Sequence, residues 1–300
     1  MDRPNPSAPA ACKVRLRYAK RGKLRFTSHR DVARAFERAL RRAGLPMAYS
    51  QGFNPHPKVS WVGAAPTGAA SEAEYVEIQL ISRADPAVVC TELDRALPDG
   101  LAVLDGVLAG PGSLADRIEA AEWRIEIPGV SAEQLRSAIP ALLAAPELMI
   151  ERVTKDGRRS IDARAAIVSL RVGSDSPQPT PSGAGTTGRG GGEQGHGTVA
   201  GRPPAPPPVP DQFAGCGILI AVVRQASPAV RPDDVLSALG VVAGFRPSAP
   251  ARATRIAQGR LDDDGGLVDP LAADRVAARM APAESGGKEP DQHDVAGHAS

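Results

Sequence analysis

The sequence predicts an α+β protein made of two tandem ferredoxin-like (βαββαβ) domains. Three observations lead there. An order β-α-β-β-α-β is readable within residues 12–110; the same order recurs within 120–261; and the two stretches match in length, at about 100 residues each, once a Gly/Pro-rich insertion is set aside. One larger α+β domain with a coincidental order of elements is the alternative.

In the first unit Val14, Leu16 and Tyr18 alternate with Arg15 and Arg17, as in a half-buried strand. A helix follows from about Ser28 to Ala43. Ser28 with Asp31 makes a capping box, Val32, Phe36 and Leu40 line one face, and Gly44 and Pro46 stop it. Val59–Val62 and Glu74–Leu80 read as strands. Asp85 caps a second helix that has Pro86 at its first position and an apolar stripe of Val89, Leu93 and Leu97. Leu101–Leu108 reads as the fourth strand.

In the second unit Trp123, Ile125 and Ile127 alternate. Ser131 and Gln134 box the start of a helix to about Ala144, which Pro140 is expected to kink or shorten. Leu148–Val153 and Ala165–Val172 read as strands paired across the Asp156-Gly157 turn. Gly217–Arg224 is a strand, Pro232 opens a helix that Gly240 closes, and Ala253–Gln258 is the last strand.

Three segments are expected to stay disordered. They are residues 1–11; a loop over 173–212, in which 19 of 40 residues are Gly or Pro; and an acidic tail over 262–300, where Leu271–Met280 can form at most a short helix. No window approaches the 18 apolar residues of a membrane span, and the first residues lack the pattern of a secretory signal. The three cysteines fit neither a disulfide framework nor a CxxC metal pattern. A cytoplasmic protein with no metal and no cofactor of its own is the expectation.

The formal net charge is only +2, but it is unevenly spread. Residues 13–58 hold thirteen Lys and Arg against Asp31 and Glu37, a net +11, and residues 59–300 carry −9. Arg30, Arg34, Arg38 and Arg41 recur at helical spacing on the flank of the first helix away from its apolar face. Arg15 and Arg17 share the polar side of the first strand, and Arg25 lies in the loop between strand and helix. With Lys58 these eight form the candidate phosphate-binding set, since a concentrated basic patch attracts polyanions. A plainly solvated helix face is the competing reading.

Beside the helix stands Tyr49-Ser50-Gln51-Gly52-Phe53-Asn54-Pro55-His56-Pro57-Lys58. Its prolines stiffen a loop rich in polar groups, and Gly52 and Asn54 permit tight turns, a combination suited to binding or catalysis and equally to a local turn network. Tyr49, Phe53 and Trp61 suit base stacking or a core. His29 and His56 are the candidate general bases for a metal-independent endoribonuclease; histidines that only hydrogen-bond are the simpler reading.

The run Phe26-Thr27-Ser28-His29-Arg30-Asp31-Val32-Ala33-Arg34-Ala35-Phe36-Glu37-Arg38-Ala39-Leu40-Arg41-Arg42-Ala43-Gly44-Leu45-Pro46, followed by the Tyr49–Lys58 motif, resembles the radical-SAM-associated domain family of bacteria in its stand-alone form. Pro66, Gly68 and Ser71-Glu72-Ala73-Glu74-Tyr75 carry the resemblance further. It implies a working association with a separate radical-SAM enzyme. The chain lacks a CxxxCxxC triad, so the radical chemistry itself is not expected here. The leading expectation is an accessory protein that binds tRNA or rRNA through a basic face. Alternatives are a histidine-dependent ribonuclease, a protein that works beside a ribonuclease, and a non-catalytic protein–protein adaptor.

Overall fold

A computed structural model describes residues 9–154, 157–174, 215–244 and 246–280. The bulk of the Gly/Pro-rich loop, most of the N-terminal segment and the tail beyond Met280 lie outside the described residues.

The alternation in the first strand places its neighbours. In β1 (Cys12–Lys20) the side chains of Val14, Leu16 and Tyr18 enter a core made with α1 (His29–Arg42) and α2 (Pro86–Ala96), while Arg15 and Arg17 point to the opposite face. On either side of β1 lie β3 (Ala70–Leu80) and β4 (Leu101–Leu108), and the short β2 (Val59–Val62) pairs with the C-terminal half of β3. The strand order is β4-β1-β3-β2, all antiparallel.

The second half repeats this plan with one addition. Around β5 (Ala120–Pro128) lie β9 (Cys216–Arg224) and β10 (Arg252–Leu261), and β8 (Ile167–Val172) pairs with β9, giving β10-β5-β9-β8, again antiparallel. Helices α3 (Ala132–Ala144) and α4 (Pro232–Ala243) pack together in its core. The addition is a separate hairpin, β6 (Met149–Thr154) with β7 (Gly157–Asp162). The partner of β6 is therefore β7 and not Ala165–Val172, while Asp156 of the expected turn lies outside the described residues. The run Gly157–Asp162 escapes a hydrophobic reading because its first four residues are exposed and only Ile161 is buried.

Both halves belong to one sheet. The first residues of β3 pair in parallel with β10, Ala70 opposite Thr254 and Ser71 opposite Arg255. The result is a mixed α/β structure with a mostly open, nine-stranded sheet and five α-helices among the described residues.

Three expectations change. Pro140 does not shorten α3, which runs on to Ala144 between the buried Ile139 and Leu142; burial of the helix outweighs the hydrogen bond a proline forfeits. Helix α4 passes Gly240 and ends three residues later at Ala243, capped by Gly244 in the left-handed conformation. The largest change concerns the segment from Asp262. It is ordered to Met280, as β11 (Leu267–Val268) against β10 and α5 (Ala272–Met280) against the first unit. The short helix allowed over Leu271–Met280 is α5, but the rest of the segment looks like a tail because its buried residues are few, Pro270, Leu271 and Asp274.

Candidate nucleic-acid interface

Helix α1 is set by its cap and its stripe. The Ser28 hydroxyl oxygen accepts the Asp31 N–H at 3.2 Å and donates to the Asp31 carboxylate at 2.7 Å. Val32, Ala35, Phe36, Ala39 and Leu40 are buried. Each large one contributes about 1.5–3 kcal/mol. That orientation leaves Arg30, Arg34, Arg38 and Arg41 in solvent. The nearest carboxylates are distant partners, Asp31 to Arg34 at 3.7 Å and Glu37 to Arg41 at 3.6 Å, and such exposed pairs are weak. Arg30 and Arg38 have no carboxylate partner among the described residues.

The motif folds into a closed loop at the end of β3. Ala48 N–H donates to Gln79 O and Lys58 N–H to Ala48 O, both at 2.8 Å. Ser50 N–H donates to His56 O at 2.8 Å, and His56 N–H donates back to Ser50 Oγ at 3.0 Å. Gln51, Gly52, Phe53, Asn54, Pro55 and His56 are exposed, with Phe53 93 % so. The three aromatics divide. Trp61 joins a cluster with Tyr18 and Phe36, Tyr49 packs against the same core, and only Phe53 offers a free ring. Exposed His29 sets its ring edge-on to Trp61, with centroids 5.3 Å apart. Among the described residues neither His29 nor His56 has an imidazole hydrogen bond to a carboxylate, the arrangement that would orient a general base.

The eight candidate cations do not form one surface. Arg15 and Arg17 lie on the sheet face opposite α1. Arg15 is only 2 % exposed, because α5 covers that face. Its guanidinium donates to Glu77 at 2.9 Å, to both oxygens of Asp274 at 2.9 and 3.0 Å, and to Gly112 O. Asp274, 1 % exposed, also accepts from Arg117 at 2.8 Å and Gly110 N–H at 2.9 Å. Burial alone pushes the Asp274 carboxyl up, but the bonds from Arg117 and Arg15 hold it below the usual carboxylate range. Glu77 follows the same pattern with Lys13 and Arg15. Arg17 is half-buried and donates to Glu72 O at 2.9 Å. Arg25 turns to the junction of the two halves, donating to Gly68 O at 2.7 Å and Ala253 O at 3.4 Å. Lys58, half-buried, stands at the base of the motif loop.

At that same junction Arg255 pairs with Glu74 and donates to Ser71 Oγ at 3.3 Å, with its guanidinium over the Trp123 ring. Lys20 is buried beside them with its amine toward Ala65 O and Pro66 O at 3.4 and 3.5 Å. Burial lowers its pKa, partly offset by Glu74. The Ser71–Tyr75 run thus supplies the polar contacts that lock β3 to β10. Sequence reasoning missed this junction, since its partners lie over 180 residues apart. It also missed the open cleft above it. Among the described residues no helix is long and apolar enough to cross a membrane.

These features define an α/β protein in which one helix flank of exposed, weakly paired arginines stands beside a polar loop closed on its own backbone. The chain belongs to the family described as "uncharacterized protein conserved in bacteria (DUF2344)", whose model matches residues 13–193. That span takes in α1, the motif loop and the first wall of the junction. Comparison with curated proteins finds no match.

Proposed function

We propose that this chain is a cytoplasmic RNA-binding accessory protein, with tRNA or rRNA held along α1. The observation that carries the reading is the row Arg30, Arg34, Arg38 and Arg41, all in solvent, none in a close ion pair. Phosphates fit such a row because each contact releases counterions and gains a charge-assisted hydrogen bond. The exposed side of the motif loop, with Gln51, Asn54, His56 and the free ring of Phe53, supplies groups that hold or read a base. The strand orders β4-β1-β3-β2 and β10-β5-β9-β8 support reading the halves as two ferredoxin-like units with a hairpin inserted in the second. The resemblance carried by Phe26–Pro46 and Tyr49–Lys58 supports service to a separate radical-SAM enzyme.

The test is RNA binding by fluorescence anisotropy across a salt series. Affinity falls with salt, and each Arg→Ala change on α1 reduces the slope of log affinity against log salt by about one. Absent binding, a flat salt response, or an unaltered slope in the Arg30/Arg34/Arg38/Arg41→Ala variant overturns the proposal.

A further inference from the structure

Where the two halves meet, the N-terminal ends of β3 and β10 and the C-terminal end of β5 border a cleft of about 1040 Å³. That is the size of a small-molecule site, and it sits at a junction between units, where such sites concentrate. Its walls carry Arg25, Arg231 and Arg252, with Glu126 and Asp233 among them. They also carry Phe26, which is 69 % exposed.

Phe26 and Arg25 are held in place. Arg25 is tied to Gly68 O in the first half and to Ala253 O in the second, and its guanidinium lies 5.6 Å from the centroid of the Phe26 ring. An exposed ring fixed by a guanidinium is a stacking platform prepared before any ligand arrives. Arg252 is exposed and has no ion-pair partner among the described residues. The carboxylates argue against an acidic peptide as occupant. They favour a group that brings amino donors together with negative charge, as a nucleotide does through its base and its phosphate.

The cleft also adjoins the basic row. Phe26 precedes the α1 cap Ser28 by two residues, and Arg30 follows two residues after that cap. We propose that this cleft takes an unpaired nucleotide of the RNA whose paired portion lies along α1, with its base on Phe26 and its phosphate toward Arg25 and Arg252. This rests on the RNA-binding reading and extends it from charge to strand state.

The experiment compares two RNAs, a blunt hairpin and the same hairpin with a four-nucleotide 3′ overhang. Wild type is expected to bind the overhang form roughly tenfold more tightly, the scale of one base–aromatic stack. Phe26→Ala and, separately, Arg252→Ala are expected to bring that ratio toward one. Both side chains are exposed, so neither change threatens the core. Equal affinity of wild type for the two RNAs, or a ratio preserved in both variants, overturns the cleft assignment while leaving the α1 reading standing. Failure of wild type to bind either RNA overturns both.

Discussion

Two sets of arginines from one short stretch of chain meet opposite fates. Those of α1 stand in solvent, the nearest carboxylates 3.6 Å or more away. Those of β1 turn to the other face of the sheet, where Arg17 is half-buried against Glu72 O and α5 closes over Arg15, which meets two buried acids. Segmental charge counted along the sequence treats the sets alike. What separates them is which face of the sheet a later segment covers. A net charge of +11 therefore overstates the field that a polyanion meets near this unit.

The sharpest way to break this comparison is to remove the acid that internalises Arg15. Asp274→Ala leaves buried Arg15 and half-buried Arg117 short of a counter-charge and should lower unfolding free energy by about 3–5 kcal/mol. Urea denaturation measures this, and a loss below about 1 kcal/mol would show that α5 is not a structural part of the first unit. Next in size is Gly259→Ala in β10. A Cβ there would lie 2.0 Å from Val268 O in β11, so the strand leading to α5 must shift. A lowered melting temperature and faster proteolysis after Leu261 are expected; an unchanged cleavage pattern would contradict the coupling.

A pH series separates the two sets more gently. Asp274 and Glu77 both have pKa values held below their ordinary ones in the folded protein. Their contribution is therefore complete above the unfolded carboxylate pKa of about 4 and is lost as pH falls through the lower folded value. Stability should decline below about pH 4 in wild type, and less steeply in Asp274→Asn; parallel curves would refute the assignment. The smallest effect is expected on the other face. Arg34→Ala and Arg38→Ala should each change stability by less than about 0.5 kcal/mol, because neither side chain has a close partner to lose.

How much of this was legible in the sequence follows the same division. Elements with local signatures read well: the Ser28 cap and the Val32–Phe36–Leu40 stripe place α1 within a residue at each end, and Val59–Val62 and Leu101–Leu108 match β2 and β4. The exposed row on α1 was legible too, because helical spacing fixes which side chains share a flank. The hairpin strand β7 was not, since a mostly solvent-facing strand has no apolar alternation. Nor was the burial of Arg15, whose partner Asp274 stands 259 positions away. Alternation told that Arg15 opposed the α1 core, but not that another layer lay there. The cleft was hidden for the same reason, its walls being drawn from segments distant in the chain.

That separation of 259 positions bears on how the molecule is made. A chain emerging from the ribosome at about 5–20 residues per second presents β1 more than ten seconds before α5 is synthesised. During that interval the first unit has its helical layer but not its opposite one, and Arg15 has Glu77 of the neighbouring strand but not yet Asp274. Completion must wait for the last described element to return to the first. A contact between positions so remote slows folding, because the loop must close before the contact can form. The protein is thus expected to acquire its outer arginine row early and the enclosure of Arg15 last.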